Sequence, residues 1–154
     1  MSETKTASIS PVIIGCDHAA YTMKECVKAF LTEMGVDVVD AGCHGLESVN
    51  YPDFAREVAQ KVSDGTYERG ILLCGTGLGM SMAANRFKGV RAALVSDGFS
   101  ARMSREHNNS NVLVLGARVI GESLAQDLVR IWMETPFGGG RHQERIDMFE
   151  GFGS

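Results

Sequence analysis

The sequence lacks the marks of several large protein classes. Its apolar runs fall well short of the roughly 18 residues that a membrane-spanning helix needs, and its polar start, MSETKTASIS, has no apolar signal-peptide core. The four cysteines (Cys16, Cys26, Cys43 and Cys74) are too few for a disulfide framework in 154 residues and show no CxxC spacing. We therefore expect reduced thiols in a cytoplasmic protein with no membrane partner.

An excess of basic residues is also missing. The chain has 15 Lys and Arg against 19 Asp and Glu, which gives a formal net charge of −4. We therefore expect no nucleic-acid partner, and any anion site has to be local. No set of histidines and carboxylates shows a clear metal-ligand spacing, so we expect no metal and no cofactor.

Short β-rich runs alternate with segments of helical periodicity. The five runs cover residues 11–15, 36–40, 70–74, 91–96 and 111–116 and are nearly continuous in apolar residues, as strands covered on both faces are. The alternation predicts right-handed βαβ units. We expect a three-layer α/β/α, Rossmann-like fold with a five-stranded parallel sheet and a C-terminal helical tail. The expected domain covers residues 11–154, after a flexible tail of residues 1–10.

Polar and glycine-rich motifs stand where the predicted strands end. CDH (16–18), CGTGLG (74–79) and SDG (96–98) follow three of the strands. Ligands of open parallel sheets bind at the carboxyl ends of the strands, so we expect the chemistry to lie among these motifs. The segment AGCHGLESVNYPD (41–53) precedes the second predicted helix. It is long enough to form one wall of a pocket.

The CGTGLG motif allows four interpretations. A nucleotide P-loop is excluded because the loop has no lysine. A cysteine phosphatase is excluded because no arginine closes the loop. A dinucleotide fingerprint is weakened because Met80 stands outside its glycine pattern, although Asp97 is placed to hold a ribose. The fourth interpretation is an oxyanion site with Cys74 as base or nucleophile, and a buried structural cysteine is its alternative.

Histidines and arginines add further candidates. His18 follows the first strand and could hold a substrate hydroxyl, or it could be incidental beside a capping aspartate. His107 stands near the end of a predicted helix, where a plain capping role is the alternative. Arg141 and Arg145 are four residues apart, on one helix face, and either bind phosphate or form a solvated surface. His142 between them could support such a phosphate clamp or lie on the surface.

Taken together, several motifs carry a family resemblance. GCDHA, YPDFA, ILLCGTGLGMSMAANRFKGVRAAL, SREHNNSNVLVLGARVIG and GGGRHQERI occur in this order. Over residues 12–146 the chain resembles the ribose-5-phosphate isomerase B family, which includes galactose-6-phosphate and allose-6-phosphate isomerases. The resemblance implies a metal-independent enzyme of pentose phosphate metabolism that interconverts ribose 5-phosphate and ribulose 5-phosphate through an enediolate.

The resemblance also implies roles for individual residues. Cys74 is the implied base, because the position where some members carry a glutamate is occupied here by Gly79 and Met80. His107 is the implied ring-opening acid, and Thr76 assists proton transfer between the substrate oxygens. The implied substrate contacts are Asp17 (also counted as catalytic), His18, Tyr51, Gly75, Thr76, Gly77, Gly79 and Asn108, with Arg141, Arg145 and Arg118 on the phosphate.

A homodimer with shared active sites, or a tetramer, is the assembly that the resemblance implies. Arg141 and Arg145 follow the glycine hinge 138–140, and we expect them to serve the partner's Cys74. Three alternatives stay open. The substrate could be another phosphosugar, namely allose 6-phosphate, galactose 6-phosphate or a tetrose 4-phosphate. The protein could also be a non-catalytic sensor of sugar phosphates or nucleotides, or it could bind a dinucleotide.

Overall fold

In the computed structural model, which describes residues 9–153, five parallel strands form a single sheet. The strands are β1 (Val12–Cys16), β2 (Val38–Asp40), β3 (Arg69–Cys74), β4 (Ala92–Leu94) and β5 (Val112–Gly116). Their order across the sheet is β2-β1-β3-β5-β4, and each neighbouring pair is parallel. Most of the expected N-terminal tail lies outside the described residues.

Helices cover both faces of the sheet. They are α1 (Tyr21–Glu33), α2 (Tyr51–Ser63), α3 (Leu78–Ala84), α4 (Gly98–Glu106), α5 (Glu122–Glu134) and α6 (Arg141–Glu150), with a single 3₁₀ turn at His18–Ala20. Strand side chains alternate between the two faces. Ile14 and Ile71 pack with the apolar faces of α1 and α5, whereas Ile13 and Leu72 pack with α2 and α3. The expected three-layer α/β/α fold is confirmed.

The two outer strands are shorter than the sequence pattern indicates. β2 begins at Val38 instead of residue 36, because the Val36 N–H closes the end of α1 by donating to the Leu31 carbonyl. β4 ends at Leu94, where it pairs with Val114, instead of residue 96. Both are edge strands, so pairing with a single neighbour sets their length.

The C-terminal helical tail is also observed. α6 follows Gly139 and Gly140, which have φ angles of +63° and +57°. These left-handed conformations favour glycine, which explains why the chain turns here. Within residues 9–153, no helix is long and apolar enough to cross a membrane.

Candidate active site

Cys74 ends β3 beneath the glycine loop, residues 75–79. Its side chain is 5% exposed and faces α2 and α3. The Gly77 N–H donates to the Cys74 Sγ at 3.2 Å. A backbone donor in this position stabilises negative charge on the sulfur. Gly77 has a φ of +81°, and a Cβ there would lie 2.4 Å from the Leu94 Cδ1, so the loop geometry requires glycine.

Tyr51 and Arg118, two other predicted site residues, lie against the glycine loop, and Thr76 is part of it. The Tyr51 ring lies against Gly79, where a Cβ would come within 2.5 Å of the Tyr51 Cζ. The Arg118 guanidinium lies over Gly75, with its Nη1 3.3 Å from the position of a Cβ. The Thr76 hydroxyl oxygen accepts a hydrogen bond from the Leu78 N–H at 3.2 Å and is at the surface. The loop is thus bordered by an aromatic ring and a cation, and it presents a hydroxyl of its own.

The CDH motif lies beside the end of β3. The Asp17 N–H donates to the Leu73 carbonyl at 3.2 Å. The Asp17 Oδ1 accepts from the Ala19 N–H at 3.0 Å, so this buried carboxylate does cap the short turn that follows. His18 is half-buried, and its Nδ1 accepts from the Val49 N–H at 3.1 Å. We call Asp17, His18, Tyr51, Cys74, the glycine loop and Arg118 the carboxyl-edge cluster.

His107 lies at the other end of the strands from Cys74, beside their amino ends. α4 follows the carboxyl end of β4 and leads back to the start of β5. Asn111, just beyond His107, accepts through its carbonyl from the Gly70 N–H at 2.9 Å, at the beginning of β3. Gly70 pairs with Val112 and Cys74 with Gly116. Gly70 and Cys74 are four residues apart along β3, so ~13 Å of strand separates the amino end beside Asn111 from the carboxyl end at Cys74.

α6 docks onto the end of α4 in the same chain. The Gly138 N–H donates to the Glu106 carbonyl at 2.9 Å, and the His107 and His142 rings stack with centroids 4.2 Å apart. Partial desolvation by its neighbours, together with electrostatic repulsion from His107, Arg141 and Arg145, lowers the pKa of His142 below the ordinary value for histidine. Asn108, Arg141 and Arg145 are exposed beside this stack. We call His107, Asn108, Arg141, His142 and Arg145 the amino-edge cluster.

The structure therefore divides the predicted site residues into two sets. CDH and CGTGLG lie at the carboxyl ends of the strands, as expected, whereas His107, Asn108 and the arginines of α6 do not. Asp97 has a different task from the ribose contact considered above, because its Oδ1 caps α4 by accepting from the Ser100 N–H at 2.7 Å. The dinucleotide interpretation has less support as a result.

The cysteines are free thiols among the described residues. The Sγ atoms of Cys16 and Cys43 lie 3.9 Å apart in the interior. Burial, together with the neighbouring Cys43, raises the pKa of Cys16 to about 12, so this thiol is a poor nucleophile. Within residues 9–153, no group of three or more His, Cys, Asp or Glu is arranged to hold a metal ion.

Lys24 is a buried charge that the sequence pattern does not predict. Lys24 on α1 is 0% exposed, and its Nζ donates to both Asp40 carboxylate oxygens at 2.8 Å and to the Cys43 carbonyl at 2.5 Å. Burial alone would raise the pKa of Asp40, but hydrogen bonds from Lys24, Lys28 and the Gly42 N–H lower it to about 2. A single lysine in an amphipathic helix gives no sequence signal of such a contact.

Known proteins share this sequence and architecture. The family model described as Ribose/Galactose Isomerase matches residues 12–149. Ribose-5-phosphate isomerase B of Escherichia coli strain K12 is 45% identical over 136 residues, which are 88% of this chain and 91% of that protein. D-erythrulose-4-phosphate isomerase of Pectobacterium atrosepticum is 40% identical over 137 residues, 88% of this chain and 90% of that protein. The structure of Clostridium thermocellum ribose-5-phosphate isomerase B gives a TM-score of 0.89 at 48% identity and covers 91% of this chain and 95% of its own.

Proposed function

The chain belongs to the ribose/galactose isomerase family and is a sugar-phosphate isomerase, and on that premise we propose that it interconverts ribose 5-phosphate and ribulose 5-phosphate. Two of the similar proteins, from E. coli and C. thermocellum, are named for ribose 5-phosphate. The observation that carries the proposal is the Cys74 thiol at the end of β3, with the Gly77 N–H directed at its sulfur. An isomerase that moves a carbon-bound proton needs a base beside the substrate carbon, and Cys74 is the candidate for it.

In the proposed reaction, Cys74 is the base. Its thiolate removes the proton from C2 of the open-chain aldose and returns it to C1. The enediolate that forms carries negative charge on oxygen. Because Gly75, Gly77 and Gly79 carry no side chains of their own, other backbone N–H groups of the loop can stabilise this oxyanion without rearranging. The exposed Thr76 hydroxyl of the loop passes a proton from O2 to O1 of the substrate.

The remaining tasks fall to the amino-edge cluster. His107 opens the closed sugar ring by acid–base catalysis, because a general acid has to protonate the ring oxygen before C1 becomes a carbonyl. Asn108 contacts a sugar hydroxyl. Arg141 and Arg145, one turn apart on α6, bind the phosphate as paired guanidinium donors. Arg118 joins them from the side of Cys74.

These tasks require a second copy of the chain. One pentose phosphate has to touch both Cys74 and His107, but the two lie at opposite edges of the sheet in one chain. We propose a homodimer, alone or within a tetramer, in which the carboxyl-edge cluster of one subunit meets the amino-edge cluster of the other. Each of the two sites then takes Cys74 from one subunit and His107 of the partner subunit.

The test is an isomerase assay across aldose phosphates, ranked by kcat/KM. We expect ribose 5-phosphate to rank above allose 6-phosphate and galactose 6-phosphate. A tetrose 4-phosphate is the second candidate, because a similar protein of comparable length is named for D-erythrulose 4-phosphate. A higher kcat/KM for the tetrose would replace the proposed substrate. Binding of phosphosugar without exchange of its C2 proton for solvent deuterium would favour the sensor alternative.

A further inference from the structure

The loop between β2 and α2, residues 41–50, is tied to α1 at its beginning. The Lys24 ammonium lies beneath this β2–α2 loop and donates to the Cys43 carbonyl at 2.5 Å, while it also binds both carboxylate oxygens of Asp40 at 2.8 Å. The Asp40 Oδ1 accepts in turn from the Gly42 N–H at 2.8 Å. The ion pair is thus bonded into the backbone of the loop at two positions.

A fully buried lysine such as Lys24 is rare in proteins. Lys24 is 0% exposed, and placing an ammonium there carries a desolvation cost that an apolar side chain of the same length would avoid. Lys28 also donates to Asp40, at 2.8 Å, but it is partly exposed, and in the described chain its ammonium has hydrogen bonds only to Asp40 and Glu25. Lys24 therefore differs from Lys28 in one contact, the hydrogen bond to the Cys43 carbonyl, which fixes the position of the loop backbone.

The other end of the β2–α2 loop reaches the carboxyl-edge cluster. The Val49 N–H donates to the His18 Nδ1 at 3.1 Å. A ring nitrogen that accepts a hydrogen bond carries no proton, so the proton of the neutral imidazole is on Nε2. Within residues 9–153, Nε2 has no hydrogen-bond partner, and the ring is half-buried beside Asp17. His18 therefore presents a free Nε2–H donor within the carboxyl-edge cluster.

We propose that the β2–α2 loop, held by Lys24 at its beginning and bonded through Val49 at its end, keeps His18 in the tautomer that donates from Nε2 to a sugar oxygen. Lys24 is then a positioning residue that acts through Cys43 and the loop. In the opposite tautomer, Nε2 would have a lone pair in place of its proton. The Nδ1–H would also face the Val49 N–H, so two donors would repel each other. The inference rests on the proposed function only in taking the bound ligand to be a phosphosugar.

The tautomer can be measured without any substrate. Two-bond ¹H–¹⁵N correlation spectra of the free protein, at an alkaline pH where imidazoles are neutral, distinguish a protonated ring nitrogen from an unprotonated one. The His18→Gln variant identifies the His18 signals by their loss. We expect Nδ1 to be unprotonated and Nε2 protonated. A protonated Nδ1 would overturn the proposal whatever the enzyme's substrate is.

The positioning role is tested by kinetics on whichever phosphosugar the wild-type protein turns over best. Lys24→Met should raise KM about tenfold with kcat within about threefold, the effect of losing one sugar hydrogen bond. Lys28→Met is the matched control, because it removes an ammonium that pairs with Asp40 but leaves the Lys24–Cys43 contact intact. Its KM should stay within about twofold of the wild-type value. A lower melting temperature with unchanged KM in Lys24→Met would mean that Lys24 is only structural.

A second pair of variants keeps the test decisive if Lys24→Met does not fold. The side-chain amide of His18→Gln reaches the position of Nε2, whereas that of His18→Asn reaches only the position of Nδ1. His18→Gln should therefore keep the lower KM of the two. An equal KM, or a lower one in His18→Asn, would show that the Nε2 donor is not the group that the substrate needs.

Discussion

His107 stacks on His142, with ring centroids 4.2 Å apart, at the edge of the sheet opposite the Cys74 thiol. The stack fixes α6 against the end of α4, so Arg141 and Arg145 are placed beside His107 by their own chain. A phosphosugar held by these arginines is therefore close to His107 of the same subunit and far from its Cys74. The base has to come from elsewhere, and a second copy of the chain is the source that we propose.

Cys74→Ser should fold normally but lose at least about a hundredfold in kcat, because an unactivated hydroxyl is a much weaker base than a thiol. The serine oxygen can still accept from the Gly77 N–H, so the loop should keep its shape. Steady-state kinetics and a melting curve measure the two effects. A variant with near wild-type kcat would show that the base is another group.

His107→Asn should slow turnover of ribose 5-phosphate much more than turnover of a tetrose 4-phosphate that cannot close the same ring. The physical reason is that the proposed task of His107 is ring opening, which an open-chain substrate does not need. Parallel kcat/KM measurements on both substrates test this. An equal loss on both would place His107 in the proton transfer itself.

Arg141→Ala should raise KM roughly ten- to a hundredfold, because it removes a charge-assisted hydrogen bond to phosphate worth about 1.5–3 kcal/mol. Arg130→Ala is the matched control, since Arg130 forms an exposed pair with Asp127 on α5. Turnover of unphosphorylated ribose should be almost unchanged by either substitution. Equal damage with ribose and ribose 5-phosphate would mean that Arg141 supports structure and not phosphate binding.

Because of the Lys24–Asp40 pair, the free energy of unfolding should decrease at acidic pH. The pKa of Asp40 falls from 3.8 to about 2 in the folded chain, so its contribution is complete above 3.8 and is lost as the pH falls through about 2. We expect Asp40→Asn to lower the free energy of unfolding by about 1–2 kcal/mol near neutral pH, with the difference shrinking towards pH 2. Denaturant unfolding at several pH values measures it.

Asp127→Asn is the control for this pH series, because Asp127 pairs with Arg130 at the surface. Exposed pairs contribute little to stability, so the free energy of unfolding should differ little from that of the wild type at each pH. A difference between wild type and Asp40→Asn that stays constant from neutral pH to pH 2 would contradict the assignment of the low pKa to Asp40.

The fold could be predicted from the sequence because hydrophobic pattern determines it. Runs such as ILLC are buried on both faces and alternate with amphipathic helices, and motifs that follow a strand are necessarily at the carboxyl edge. The same reasoning, applied to SREHNNSN, places His107 before β5 and therefore beside the amino ends of the strands.

Other features depend on contacts that no local pattern contains. Lys24 meets Asp40 sixteen residues later, and a lysine on a predicted helix is ordinarily solvated. The stacking of His142 on His107 depends on the turn at Gly139 and Gly140, whose left-handed φ angles set the direction of α6. The glycines predict a turn there, but they do not predict the direction in which α6 leaves it.

The most direct measurement is recovery of activity by subunit exchange between Cys74→Ala and a His107→Asn/Arg141→Ala double variant, each inactive alone. In a mixed dimer with shared sites, one site collects all the lesions and the other is native. Random exchange makes about half of the dimers mixed, so roughly a quarter of wild-type activity should return. Native mass spectrometry of tagged subunits verifies the exchange. If mixed dimers form and no activity returns, each site is built within one chain and the shared-site account is wrong.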